Sequence, residues 1–347
     1  MEPVIFAPDA ASALAKVLEQ VTFSRLVVLT DSNTQQHCLP IIQSVLPGDT
    51  AFISVKPGEI HKNLETCALI WKEMTELALD RKALILNLGG GVIGDMGGFC
   101  ASIYKRGIRF INLPTTLLSQ VDASVGGKLG VDFQGLKNHL GVFNEPETVL
   151  IASEFLKTLP KKELRSGYAE ILKHGLIRDA AYFQSLKTSH WESQAWEKLI
   201  QRSVAIKKEV VTEDPKENGL RKILNFGHTI GHAFESYFLD TSNHLLHGEA
   251  IALGMIAEGY LSVKKCGMPE AELEILIKSL LEIYGKVKFD LDQLDPILDL
   301  CIQDKKNEGN TLMFSLLKSI GDCTYNIPVS RTEIQEAIQF YHDLKTA

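Results

Sequence analysis

Long apolar runs are missing from this sequence: nowhere do its 347 residues contain the roughly 20 consecutive apolar positions that a membrane-crossing helix requires. Runs of Lys and Arg are missing too. With 36 Lys and Arg against 43 Asp and Glu, a net charge of -7 and a pI near 5.8, the chain has no electrostatic footprint for nucleic acid or an anionic membrane. Any cation that binds phosphate must therefore be placed locally. The six cysteines, Cys38, Cys67, Cys100, Cys266, Cys301 and Cys323, form no C-x-x-C pair, which argues against a zinc knuckle or a disulfide framework. They are expected to be reduced, buried thiols. The opening Met1-Glu2-Pro3-Val4 carries no basic region followed by an apolar core, so a soluble, cytoplasmic protein is expected. Internal repeats and low-complexity segments are also absent.

What is present is enough apolar sequence, 45% of the residues, for more than one core. A length of 347 exceeds the roughly 100 to 200 residues of a typical domain, so two domains are expected. Residues 25–30, 51–55, 83–88 and 110–113 read as buried strands, with amphipathic helices over 10–19 and 64–79 between them. This is the α/β pattern of a mostly parallel sheet. Asp31-Ser32-Asn33, Pro57-Gly58-Glu59 and Gly89-Gly90-Gly91 each follow a strand, where open α/β sheets bind ligands. Gly89, Gly90 and Gly91 let backbone approach a pyrophosphate, and a helix from Val92 toward Asp95 turns its N-H groups on an anion. From 104 to 144 the chain is rich in Gly, Lys and Thr and reads as ligand-facing loops, in which Arg106, Lys128, Lys137 and Asn138 together suit a phosphate.

After about residue 151 helical periodicity takes over, at 163–177, 196–211, 225–238, 248–265 and 271–283. The expected organisation is therefore an N-terminal Rossmann-like domain over 1–151 and a mostly α-helical domain over 152–347. Short β-like runs at 311–317 and 323–327 precede a last helix from Arg331.

The densest chemistry lies in Asn225-Phe226-Gly227-His228-Thr229-Ile230-Gly231-His232-Ala233-Phe234-Glu235 and His244-Leu245-Leu246-His247-Gly248-Glu249. On a helix His228, His232 and Glu235 share one face, and a second helix opening at His247 would bring that imidazole opposite His228. Such a pair suits a divalent metal between helices, with its remaining ligand an acid from elsewhere. In Ser166-Gly167-Tyr168-Ala169-Glu170-Ile171-Leu172-Lys173, Glu170 and Lys173 also share a face, one acid for a metal and one ammonium for a substrate oxygen.

These motifs, in this order from Asp31 to about Gly321, resemble the 3-dehydroquinate synthase family. The resemblance implies a Rossmann-like NAD domain, an α-helical metal domain and a homodimer. It implies Glu170, His228 and His247 as ligands of zinc or cobalt, His232 as proton acceptor, and a catalytic role for Glu217 in Asp214-Pro215-Lys216-Glu217. For NAD it implies Asp31, Ser32, Asn33, Glu59, Lys62, Gly89, Gly90, Gly91, Val92, Asp95, Thr115, Thr116, Lys137 and Thr158. For a phosphorylated sugar acid it implies Arg106, Asp122, Lys128, Asn138, Lys173, Lys207, Arg221, Asn225 and Lys305 or its neighbour Lys306, with Lys173, Arg221 and Asn225 also catalytic. Asp132, where the family often has Asn, and Asn310, where Gly is common, depart from the pattern. The implied reaction converts 3-deoxy-D-arabino-heptulosonate 7-phosphate to 3-dehydroquinate and phosphate by NAD-assisted oxidation, β-elimination, reduction and internal aldol closure. The rival readings are another sugar phosphate cyclase, a metal-dependent alcohol or glycerol dehydrogenase, and a non-catalytic NAD-binding module.

Overall fold

The β-branched runs of the N-terminal half become the strands β1 (Val4–Ala7), β2 (Leu26–Asp31), β3 (Ala51–Val55), β4 (Leu84–Gly89), β5 (Arg109–Pro114) and β8 (Val149–Ala152) of one parallel sheet, in the order β1-β8-β5-β4-β2-β3. A computed structural model describes residues 3–186, 188–239, 241–303 and 311–345, and its chain divides into two units, Met1–Leu164 and Arg165–Ala347. Alternation along the strands serves both faces of the sheet. Val27, Leu29 and Ile85 join one core with Cys67, Ile70, Met96 and Phe99, while Leu26, Val28, Leu84 and Leu86 join another with Leu14 and Val17.

The helices of this unit are α1 (Ala10–Gln20), α2 (Ser32–His37), α3 (Leu39–Ile42), α4 (Leu64–Glu76) and α5 (Gly91–Ile103). Asp9, Asp31 and Asn63 cap α1, α2 and α4 by accepting first-turn N-H groups. At the start of α5 stands Gly90, which offers no side-chain cap. The chain steps outward from β2 to β3 and then returns to β4 on the other side of β2. That reversal sets Asp31 and Gly89, the ends of β2 and β4, at the switch point of the sheet.

Four differences from the sequence expectation concern this unit and the cysteines. The sheet gains β1 and β8, too short to stand out by pattern, and α5 starts one residue before Val92. Residues 104–144 are not only loop: β6 (Lys128–Phe133) and β7 (Leu136–Phe143) form an antiparallel hairpin in which Gly130 sits opposite Gly141. One glycine in each strand interrupts the alternation that marks a strand in sequence. Cys266 and Cys323 are only partly buried, unlike Cys38, Cys67, Cys100 and Cys301.

The second unit carries most of α6 (Lys161–Arg178), then α7 (Ala180–Ser185), α8 (Trp196–Glu213), α9 (His228–Phe238), α10 (His247–Cys266), α11 (Glu270–Tyr284), α12 (Leu294–Gln303) and α13 (Arg331–Asp343), with an antiparallel pair β9 (Thr311–Ser319) and β10 (Asp322–Ser330). No helix among the described residues is long and apolar enough to cross a membrane. Helix α9 begins at His228 rather than at residue 225. A 3-10 turn over Leu220–Asn225 and Gly227, at φ +80, interrupt the helical path.

Packing of α9 on α10 requires glycine. A Cβ on Gly254 would lie 1.9 Å from the Gly227 carbonyl oxygen, and one on Gly231 would lie 2.9 Å from the Ile251 side chain. Gly248 meets α6 in the same way, 2.2 Å from the Ser166 carbonyl oxygen. Gly254→Ala should therefore force α9 and α10 apart and cost about 1–3 kcal/mol or more of folding stability. Gly48→Ala, where no atom lies within 4 Å of the added carbon, should stay within about 0.5 kcal/mol. Denaturant unfolding of both variants checks this, and equal stabilities would contradict the packing argument.

Candidate active site

Helix α6 is buried on every side from Ser166 to Ile177, so its polar residues must find partners inside the protein. Glu170 is 0% exposed and Lys173 1%, and they pair through Glu170 Oε2. The other oxygen, Oε1, faces His228 Nε2 at 3.6 Å and His247 Nε2 at 3.4 Å. Both imidazoles are partly buried, 13% and 21% exposed, with ring centroids 5.6 Å apart.

Each ring is oriented from behind. His228 Nδ1 lies 3.1 Å from the Phe226 carbonyl oxygen and His247 Nδ1 lies 3.2 Å from Glu235 Oε2. A carbonyl and a carboxylate only accept, so both Nδ1 atoms donate, and a neutral ring then presents its Nε2 lone pair to the space before Glu170. The three ligand atoms of Glu170, His228 and His247 lie within 4.8 Å of one another. His232 stands one turn along α9, its ring 5.0 Å from that of His228 and 5.9 Å from that of His247. His232, Glu235 and His247 form a second such group, in which Glu235 is already engaged by His247.

The field at the His228 and His247 rings differs. Burial and the Lys173 ammonium hold His228 well below the usual histidine range. At His247 burial pulls the same way, but the Glu235 and Glu170 carboxylates outweigh it and push the ring up to about 9.

The turn that follows α8 gathers other expected residues. Asp214 accepts the N-H groups of Asn218, Gly219 and Arg221 at 3.0, 2.7 and 3.1 Å, while Arg221 Nη1 donates to the Pro215 carbonyl at 2.6 Å. Asn225 Nδ2 donates to Glu217 Oε1 at 2.7 Å, and Glu217 holds a left-handed φ of +60. Arg221 is 2% exposed and Lys207, on α8, is 6% exposed. Two cations so deeply placed require anionic or dipolar company.

In the first unit Glu59 and Lys62, Asp95 on α5, and Lys137 and Asn138 on β7 are joined by ion pairs and hydrogen bonds. Lys62, 4% exposed, donates to Asp95 Oδ2 at 2.7 Å and to Asn138 Oδ1 at 2.6 Å, while Lys137 pairs with Glu59 at 3.5 Å. Against the cost of burial, Asp95 and Glu59 hold the Lys62 ammonium above its usual range. Asp132 accepts the Asn138 N-H at 2.8 Å and donates its own N-H to the Lys62 carbonyl at 2.8 Å, so this departure from the pattern braces the two lysine-bearing segments.

Thr115 donates its N-H to the Gly89 carbonyl at 3.0 Å, and a Cβ on Gly90 would lie 2.9 Å from Thr116 Cγ2. Buried Cys38 stands beside Thr115, Thr158 and Asp31, and burial pushes its thiol up to about 11. Ser32 and Asn33 are exposed on α2, and Val92 stands in the first turn of α5. Arg106 is exposed at φ +69, Asp122 lies in a π-turn over Ser119–Ala123, and Lys128 is exposed at the start of β6. Lys305, Lys306 and Asn310 lie outside the described residues.

Sequence reasoning missed Glu258. It is 0% exposed on α10, and its carboxylate accepts the N-H groups of Gly227 at 2.6 Å and Ile230 at 3.1 Å. The signal was available: one acid inside the apolar run from Ala250 to Leu261. The Phe226 carbonyl behind His228 left no such trace, because backbone groups are invisible in a sequence.

Residues 52–166 match the 3-dehydroquinate synthase N-terminal family and residues 167–307 the 3-dehydroquinate synthase C-terminal family. A 3-dehydroquinate synthase of Parabacteroides distasonis is 41% identical over 346 residues, 99% of this chain and 98% of that one. One from Streptococcus pyogenes is 38% identical over 333 residues, 93% and 92% of the two chains. Among solved structures, 2-epi-5-epi-valiolone synthase from Streptomyces hygroscopicus, with NAD+ and Zn2+ bound, matches with a TM-score of 0.87 at 28% identity, over 97% of this chain and 96% of that one. A 2-deoxy-scyllo-inosose synthase, complexed with carbaglucose-6-phosphate, NAD+ and Co2+, matches with a TM-score of 0.83 at 25% identity over the same shares. The fold alone is shared with an NADH-dependent butanol dehydrogenase of Thermotoga maritima, at 12% identity over 97% of this chain and 96% of that one and a TM-score of 0.72. With both halves matched and full-length relatives at this identity, the chain belongs to the 3-dehydroquinate synthase family.

Proposed function

We propose that this chain converts 3-deoxy-D-arabino-heptulosonate 7-phosphate to 3-dehydroquinate and phosphate, with Glu170, His228 and His247 holding one divalent metal and the first unit holding NAD. The observation that carries this reading is the convergence of one carboxylate oxygen and two Nε2 atoms, each ring fixed through its Nδ1, in a chain matched to this family in both halves. Three such donors suit zinc or cobalt with a position left for substrate. The rival set built on His232 and Glu235 would have to take Glu235 from His247. The sugar phosphate cyclases of other specificity are more distant in sequence, at 28% and 25% against 41%.

When bound, NAD supplies the hydride acceptor and donor, and the metal supplies Lewis acidity at the alcohol being oxidised. The chain's own residues do the rest. Lys173, fixed by Glu170, directs an N-H at a substrate oxygen. His232 takes up and returns a proton beside the metal ligands, and Asn225 is aimed by its bond to Glu217. Buried Lys207 and Arg221 receive the substrate carboxylate, a role that suits a planar guanidinium. Asn138, Lys128, Arg106, Asp122 and Lys305 serve the rest of the substrate. On the nucleotide side, Glu59 with Lys137 and Lys62 with Asp95 form a braced polar rim, and Asp31, Ser32, Asn33, Gly89, Gly90, Gly91, Val92, Thr115, Thr116 and Thr158, which lie at or follow the carboxyl ends of β2, β4, β5 and β8, serve NAD. A cytoplasmic homodimer is part of this reading.

His228→Ala and His247→Ala should each lose the metal and, with it, more than 90% of activity, because a ligand is removed outright. His232→Ala should keep the metal and lose turnover by about 100-fold or more, the usual weight of one general acid-base group. Metal analysis of the dialysed variants beside kcat separates the roles, and equal metal loss in all three would contradict the division.

Arg221→Met should reduce kcat/KM for the heptulosonate phosphate by about 2 to 4 kcal/mol of transition-state binding. A carboxylate-free sedoheptulose phosphate should suffer much less. Equal losses for both compounds would make Arg221 structural, a role its bond to the Pro215 carbonyl also allows.

A further inference from the structure

Helix α9 starts without any side chain of its own to hold its first turn. The N-cap is Gly227, at φ +80 and ψ -12, and it makes no side-chain cap bond. A helix start leaves backbone N-H groups pointing along the axis, and burying them without an acceptor is costly. The acceptor comes instead from the neighbouring helix. Glu258 Oε2 takes the Gly227 N-H at 2.6 Å and Glu258 Oε1 takes the Ile230 N-H at 3.1 Å, with the carboxylate fully buried at the positive end of α9. One carboxylate thus fixes the backbone on both sides of His228.

Two further observations make this placement matter to the imidazole. The Phe226 carbonyl, adjacent to the clamped Gly227 N-H, accepts from His228 Nδ1 at 3.1 Å and so sets the ring's orientation. The α10 backbone also presses directly on this segment, since a Cβ on Gly227 would lie 3.1 Å from the Met255 nitrogen and one on Gly254 would lie 1.9 Å from the Gly227 carbonyl oxygen. Carboxylate, peptide unit and ring form one connected series. We infer that Glu258, through the Gly227 and Ile230 N-H groups, is the positioning residue that holds His228 Nε2 toward Glu170 and so sets the affinity of the metal site.

This inference rests on the metal reading proposed above, and its test separates the two. Glu258→Gln keeps the shape of the side chain but sets an NH2 group against one of the two N-H donors. Zinc affinity, measured by competition with a chromophoric chelator on the full-length metal-free protein, should fall tenfold or more. Leu280→Ala, a core truncation on α11, serves as the stability control and should hold zinc within about twofold of the parent, even where its melting temperature drops as far. Glu258→Asp, one methylene shorter but still charged, should lie between parent and Glu258→Gln, and it carries the test alone if Glu258→Gln does not fold. Wild-type zinc affinity in the Glu258 variants, with His228→Ala losing zinc, overturns this inference and leaves the metal reading standing. Equal loss of affinity in Leu280→Ala also overturns it, because the effect would then be one of general stability. Zinc retained by His228→Ala overturns both readings.

Discussion

The second unit depends on one constraint, the burial of the Glu170 carboxylate. A carboxylate at 0% exposure costs several kcal/mol unless charge and hydrogen bonds surround it. Lys173 answers one oxygen from the same helix, and two imidazoles from α9 and α10 converge on the other. Three helices must therefore meet closely around a polar point in an apolar core. Glycine makes that approach possible: Gly248 where α10 meets α6, and Gly227, Gly231 and Gly254 where α9 meets α10.

Close approach creates a second problem, because helix ends brought into a core carry N-H groups with them. The answer at α9 is Glu258, and at the start of α10 it is Ser166, whose hydroxyl accepts the Gly248 N-H at 2.9 Å. Both histidines of the proposed metal site lie at these starts, His228 as the first residue of α9 and His247 as the first of α10. The first unit uses another device, a braced rim of Lys62, Asp95, Asn138 and Asp132 beside a helix whose start bears glycine.

Much of this was legible in the sequence. Apolar runs with β-branched residues marked four of the six strands in the parallel sheet, and periodicity marked the long helices of the second unit. The spacing of His228 and His232, with His247 opening the next apolar run, was enough to expect facing imidazoles, and their centroids are 5.6 Å apart for His228 and His247. Illegible features share a physical cause, in that they depend on backbone or on partners distant in the chain. Gly227, at φ +80, breaks the helical pattern read from residue 225, and a Cβ there would lie 2.5 Å from Met255 Cγ of α10, a contact that the local pattern does not show. In the β6-β7 hairpin one glycine in each strand interrupts the alternation. Glu258 stands out as the one acid in the apolar run from Ala250 to Leu261, but its partners, the Gly227 and Ile230 N-H groups, show only once α9 is packed against α10.

The central claim is that Glu170, His228 and His247 form the metal site. Anomalous diffraction at the zinc edge, on crystals of the zinc-loaded protein, tests it most directly. One peak is expected within about 2.0–2.2 Å of Glu170 Oε1 and of the Nε2 atoms of both histidines. A peak held by His232 and Glu235 with His247, or no peak within this group of residues, would contradict it.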